Sequence, residues 1–220
     1  MPNISIRLQT IGEFVNKDAH VFDVGADHGL LEKYLIDNDV TKNIVAVENK
    51  VGPYSTLKNN LLGYNVKVLL SDGLDDLDST SDTLIIAGMG GLLIKDIISK
   101  HVDKLIHINK IIVDAHRDIY LIREYITQLG FIIEKEKLVY ENGQYYFVIS
   151  FIKGHKEYSL DELMWGVNLL NKDLFKAYKE SELDRLVNVL LKQKKAKIVD
   201  PKTIEEIENK IERLKNYEHN

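Results

Sequence analysis

The 220-residue chain, 45% hydrophobic, is long enough to bury one sizeable core and leave about 60 residues for a smaller second module. It holds no cysteine, which excludes disulfides, thiolate chemistry and a cysteine zinc site. A net charge of −5 argues against a uniformly basic nucleic-acid binder, but residues from Ser159 onward carry 12 basic against 12 acidic side chains, so the whole acidic excess lies in residues 1–158.

In chain order, the first near-continuous apolar run, VFDVG at 21–25, predicts a strand covered on both faces, and LLEKYLIDN at 30–38 follows with helical spacing. NIVAVE (43–48), VKVLL (66–70), TLIIAG (83–88) and KIIVDA (110–115) repeat the strand signature, and LLIKDIISKHV (92–102) is a further helical segment. This alternation is the rhythm of a doubly wound parallel sheet. It breaks after one more helix, YLIREYITQLG at 120–130. FIIEKEKLVYE (131–141) and QYYFVISFIKG (144–154) then read as two strands joined by Asn142-Gly143, a dipeptide favoured in tight hairpins. Five parallel strands closed by such a hairpin give the seven-stranded, Rossmann-like α/β plan of class I methyltransferases, which a plain dinucleotide-binding domain does not predict.

Past Gly154 the pattern becomes helical. Ser159-Leu-Asp-Glu162 reads as a capping box, and Leu160, Leu163, Val167, Leu170, Leu174 and Ala177 follow in a heptad-like stripe expected to run on through Leu183, Leu186 and Leu190 to about Val199. Asp200-Pro201 breaks it and caps a second helix with Ile204, Ile207, Ile211 and Leu214 on one face. The expected organisation is a sheet domain over 1–157 and an antiparallel helical coiled coil over 158–220. Within the coiled coil, residues 185–199 hold Arg185, Lys192, Lys194, Lys195 and Lys197 with no acid.

In open α/β sheets ligands bind beyond the carboxyl ends of the strands, beside the first one. The turn there, Gly25-Ala26-Asp27-His28-Gly29, sets a carboxylate where a diphosphate would have to approach, which suits a cation instead. Glu48, ending the second strand, is placed to accept ribose hydroxyls, and Asp72, after the third, to meet the exocyclic amine of an adenine. Any one of these acids could equally cap the following helix; three at ligand-facing strand ends point to a cationic nucleoside such as S-adenosylmethionine. The fourth strand ends in Ala87-Gly88-Met89-Gly90-Gly91, a glycine density that implies close backbone approach, here to a target nitrogen, or alternatively a tight turn with Met89 filling the core.

These motifs in order, Arg7-Leu8, DVGADH (23–28), a glutamate followed by VGPY (51–54), SDGL (71–74), AGMGG (87–91) and YENGQYY (140–146), resemble the bacterial tRNA adenine-22 N1-methyltransferase family over essentially the whole chain. The resemblance implies S-adenosylmethionine as methyl donor and N1 of adenine 22 in the tRNA D-arm as acceptor. It implies a cofactor pocket of Arg7, Asp23, Gly25, Asp27, His28, Glu48, Asn49, Asp72, Gly73, Ala87, Gly88 and Met89, with Gly90 and Gly91 on the substrate side. Two stretches depart from the family pattern: Asp114-Ala115-His116 stands where members commonly have Gln-Pro-Asn, and Leu30 and Glu32 stand where they often have Tyr and Pro. No role is carried over to those positions.

Methyl transfer from a sulfonium depends mainly on alignment. A carboxylate near the acceptor base would stabilise the charge that N1-methylation develops, and Asp27 is assigned that catalytic role; His28 reads more simply as a structural hydrogen-bonder. Arg185, Lys192, Lys194, Lys195 and Lys197 are the expected tRNA contacts. No metal is expected, and a monomer is marginally favoured. No apolar run approaches the roughly 20 residues of a bilayer crossing, and the start MPNISIRLQTIGEF lacks a signal-peptide layout, so a cytoplasmic protein without a membrane partner is expected. Two alternatives stay open: a small-metabolite methyltransferase with a dimerising tail, and a non-catalytic nucleotide-binding module.

Overall fold

The structure, a computed structural model, describes residues 4–195 and 199–218. The described residues form one seven-stranded sheet in the order β3-β2-β1-β4-β5-β7-β6, built from β1 (His20–Val24), β2 (Asn43–Glu48), β3 (Val66–Leu70), β4 (Thr83–Met89), β5 (Lys110–Ala115), β6 (Phe131–Glu141) and β7 (Gln144–Lys153). β1 to β5 pair in parallel, and β7 enters antiparallel between β5 and β6. The expected sheet is therefore present, with its hairpin turning at Asn142 and Gly143, both at positive φ.

Strand alternation divides the core. Val21, Ile85 and Ile112 face α1 (Ile6–Phe14) and α2 (Leu30–Asp37), where Ile11, Phe14, Leu31 and Leu35 complete a buried cluster. Phe22, Ile86 and Val113 face the other way, onto Ile94 and Ile98 of α4 (Gly91–Ser99) and Ile122 and Ile126 of α5 (Ile119–Gln128). Two helices went unread in the sequence. α1 starts at Ser5, whose hydroxyl accepts the Leu8 N–H at 3.2 Å, and α3 (Val51–Asn60) begins with Val-Gly-Pro, poor formers held by the packing of Leu57.

The tail corrects one expectation. Its capping box at Ser159 and Glu162 is formed, but the first helix, α6 (Leu160–Trp165), stops there instead of running on to 199. The cause lies in a buried ion pair from the sheet domain. Arg123 on α5 and Glu136 on β6, with side chains 1% and 0% exposed, meet at 2.7 Å; Arg123 also donates to the carbonyls of Leu163 and Met164, while Glu136 accepts the Val167 N–H. These bonds take over the helix-terminal carbonyls, and the chain turns at Gly166 (φ 102°) and Asn168 (φ 53°). Val167 and Leu170 therefore lie in a bent, non-helical linker that pairs with β6 at Glu136, not on a helical stripe.

After the linker, α7 (Lys172–Lys194) and α8 (Pro201–Asn216) pack antiparallel, with Lys179 bonded to the carbonyls of Lys215 and Tyr217 at one end and Lys194 paired to Glu208 at the other. Trp165, Phe175, Leu186, Ile211 and Leu214 join the α4–α5 side of the core. Each such side chain contributes about 1.5–3 kcal/mol of burial before entropy is charged against it. Among the described residues no helix is long and apolar enough to cross a membrane.

Candidate active site

The strand order reverses between β1 and β4, and the crevice beyond their carboxyl ends is where the sequence motifs converge. The turn after β1 is tied to β2: Gly25 N–H donates to the Val47 carbonyl at 2.9 Å and Asp27 N–H to Glu48 Oε1 at 2.8 Å. Gly25, Asp27 and Gly29 all have positive φ, at 76°, 53° and 73°, which winds the backbone into a cup. At position 25 the φ of 76° is what favours glycine; an added Cβ would also meet the tip of the flexible Met89 side chain from the β4 loop.

Two adjoining cavities result. One, of about 490 Å³, is lined by Arg7, Asp23, Gly25, Asp27, His28, Glu48, Asn49, Ala87, Gly88 and Met89, together with Leu8, Ala26, Leu30, Leu31, Lys50, Pro53 and His116. The other, of about 280 Å³, is lined by Asp72 and Gly73 with Ser71, Leu93, Asp96, Ile97 and Lys100 among others. Gly25, Glu48, Asn49, Lys50 and Met89 belong to both. Glu48 thus stands between them, with lone pairs left after its bond to Asp27, and Asp72 accepts from Asn49 Nδ2 at 3.1 Å. A two-part ligand fits this donor set: a nucleoside spanning the shared wall, and a cationic end among the acids of the first cavity. Among the described residues no group of three or more metal-ligating side chains gathers.

Asp27 and His28 sit at the mouth, their side chains 75% and 61% exposed and 3.7 Å apart, so Asp27 is open to an incoming acceptor. Asp23 is the opposite: 4% exposed, its carboxyl pushed up to about 6 by burial and by Glu48, against a lowering contact with Glu32. Arg7 bonds to the buried Asp114 and lies over the Tyr146 ring at 5.4 Å, and His116 meets the same ring edge-on at 5.5 Å. Burial raises the Asp114 carboxyl, with Arg7 acting against it.

Gly91 does not line either cavity. It is buried, its N–H donates to the Arg117 carbonyl at 3.0 Å, and a Cβ there would come within 2.7 Å of the Asp118 carbonyl oxygen, so its identity answers to packing and not to a substrate. Gly90 is partly exposed beside Arg117, outside the cavity lining. The tail residues are not brought to the cavities either. Arg185 is paired with Glu182 and Lys194 with Glu208, each at 2.6 Å, Lys192 and Lys195 are exposed, and Lys197 lies outside the described residues. The run is free of acids in sequence but not in space.

Sequence reasoning missed His116 in the lining and Glu32 beneath it. Glu32 carried a signal: it sits between Leu31 and Leu35 on the apolar stripe of its helix, where an acid has no solvent to face.

A model of the methyltransferase domain matches residues 4–149. A Bacillus subtilis (strain 168) protein named tRNA (adenine(22)-N(1))-methyltransferase is 28% identical over 172 residues, 76% of this chain and 72% of its own. The crystal structure of the B. subtilis m1A22 tRNA methyltransferase superposes with a TM-score of 0.87 at 26% identity, over 98% of both chains. A Streptococcus pneumoniae protein solved in complex with S-adenosyl-L-methionine does so at 0.85 and 27%, over 96% of this chain and 98% of its own. With that model spanning most of its length, and the sheet order and converging strand-end motifs to match, this chain belongs to the methyltransferase domain family.

Proposed function

We propose that the chain methylates N1 of adenine 22 in the tRNA D-arm, with S-adenosylmethionine as donor. The observation that carries this is the convergence of Asp27, Glu48, Asp72, Gly88 and Met89 on two adjoining cavities, in a chain that matches the m1A22 tRNA methyltransferase of B. subtilis nearly end to end. The cofactor assignment is further supported by the S-adenosyl-L-methionine held by the S. pneumoniae neighbour.

When bound, S-adenosylmethionine supplies a methyl carbon already activated by its sulfonium. The chain's own part is placement and charge. Glu48 accepts from the ribose and Asp72 from the adenine amine, which fixes the donor along the shared wall. Gly88 and Met89 let the target base approach the β4 loop. Asp27, exposed at the mouth, faces the positive charge that grows on the base as N1 is methylated, and can take a proton from its exocyclic amine. The target adenine has to leave its stack to reach this depth.

Residues 1–157 would be the catalytic unit and 158–220 the tRNA-gripping unit, acting in the cytoplasm. In this reading Lys192, Lys195 and Lys197 supply phosphate contacts, and Arg185 and Lys194 exchange their acidic partners for RNA. The test is methylation of a tRNA transcript with the position mapped by primer extension. A stop at position 22 that disappears in a transcript carrying guanine there is expected. Methyl transfer to no tRNA, with turnover of a small metabolite instead, would overturn it.

A further inference from the structure

Alternation along β1 turns Val21 and Asp23 to the same side of the sheet, and that side is covered by α2. α2 presents Leu31, Glu32 and Leu35 to it, so two carboxyl groups meet inside a mostly apolar layer. Asp23 is 4% exposed and Glu32 0%. Neither Glu32 oxygen has a well-formed hydrogen-bond partner, and among the described residues no lysine or arginine forms an ion pair with either acid. The charged groups that act on the pair are each other, from β1 and α2, and Glu48 at the end of β2, which only adds negative charge. Two carboxylates in one buried site without a cation oppose each other's ionisation, which favours keeping one proton between them. Asp23 also lines the larger cavity, while Glu32 stands behind it.

Resting on the methyltransferase reading above, we propose that Glu32 is a positioning residue for the cofactor: it shares one proton with Asp23 across the floor of the cavity, and that proton leaves when the cationic end of S-adenosylmethionine enters. The balance is simple. A pair of charge −1 and a cationic ligand become a pair of charge −2 holding that cation, and one proton goes to solvent. No further reactant is needed. Until the ligand arrives, the shared proton spares the floor of the cavity a second buried charge and keeps the Asp23 carboxyl oriented.

The sign follows from linkage. Burial and Asp23 hold the Glu32 carboxyl well above its ordinary range, so the ligand-free pair keeps its proton to higher pH than an ordinary carboxyl would. Binding that releases a proton strengthens as pH rises, toward tenfold in affinity per unit, and levels off once the free pair has ionised.

The experiment is calorimetric titration of the intact protein with S-adenosylmethionine at pH 6, 7 and 8, each in two buffers of different ionisation enthalpy. About one proton released per ligand at pH 6 and 7 is expected, with affinity increasing toward pH 8. In Glu32→Gln, which keeps the shape but has no proton to lose, the release and the pH slope should both disappear. Infrared spectra of the ligand-free protein give a second readout: a carboxylic-acid carbonyl band at pH 7 that Glu32→Gln removes. Wild-type binding without proton uptake or release, or a variant whose band and slope match the parent, overturns the proposal. Absence of binding at every pH would sink the cofactor assignment instead, with the infrared band still deciding whether the pair shares a proton.

Discussion

Charge is handled in opposite ways at the carboxyl end of the sheet and in the C-terminal helices. At the strand ends three acids stand without an ion-pair partner, although Asp114 beside them is matched by Arg7: Glu48 is held by a backbone N–H, Asp72 by an amide, and Asp23 lies buried against Glu32 of α2. In the helices several charges are matched across short distances, Arg185 with Glu182, Lys194 with Glu208 and Arg213 with Asp161, while Lys192 and Lys195 stay exposed. Unneutralised charge suits a cationic ligand, as the proposed donor is. Matched charge marks one whose groups must first be released, and such exposed pairs hold by only about 0–1 kcal/mol.

The sharpest way to break this comparison is to reverse the helical charges. Changing Lys192, Lys194, Lys195 and Lys197 together to Glu should abolish tRNA methylation while calorimetry finds cofactor affinity intact. Normal methylation in low and moderate salt would reduce the helices to a structural element. Next comes the mouth of the site. Asp27→Ala should lower turnover by about 10²–10⁴-fold, with affinity less affected; a loss confined to binding, read in separate kinetic and calorimetric titrations, would make Asp27 a cofactor ligand only. The junction between the two regions is tested by Glu136→Ala. Leaving Arg123 buried and unpaired should cost about 3–5 kcal/mol in denaturant-unfolding stability, and a change under about 1 kcal/mol would show that the docking of α6 does not depend on the pair. Smallest is the cofactor wall: Glu48→Ala and Asp72→Ala should each weaken S-adenosylmethionine by about 1–3 kcal/mol. Parental affinity in either would remove that residue from the pocket.

The parts of the fold legible in the sequence are those whose pattern is set locally. Runs such as NIVAVE and KIIVDA are apolar throughout because both faces of the sheet are covered, and their predicted bounds coincide with β2 and β5. The hairpin was signalled by Asn142-Gly143 for the same kind of reason. The tail shows the limit. Leu163, Val167 and Leu170 keep a heptad spacing, yet α6 ends at Trp165 because Arg123 and Glu136, distant in sequence, claim its last carbonyls. No periodicity within the tail carries that information. The site divides in the same way. Asp27, Glu48 and Asp72 stand at strand ends whose position spacing fixes, whereas His116, just past β5, lines the cavity beside the register shift at Gly88 of β4, and nothing in its own neighbourhood of the sequence marks it for that place.

The linker between α6 and α7 does more than join them. β6 is eleven residues long and lies at the margin of the sheet, where a strand normally leaves a row of main-chain donors and acceptors free to recruit another strand. Here that row is occupied. Ile133 N–H goes to the Tyr158 hydroxyl and its carbonyl to Asn168, Glu136 bonds through its main chain to Asn168 and Leu170, and Leu138 is held on both sides by the Asn171 amide. The linker is thus a shield against strand-to-strand self-association. A chain cut at residue 157 would keep its entire sheet yet expose the edge, and should grow into larger particles that light scattering detects.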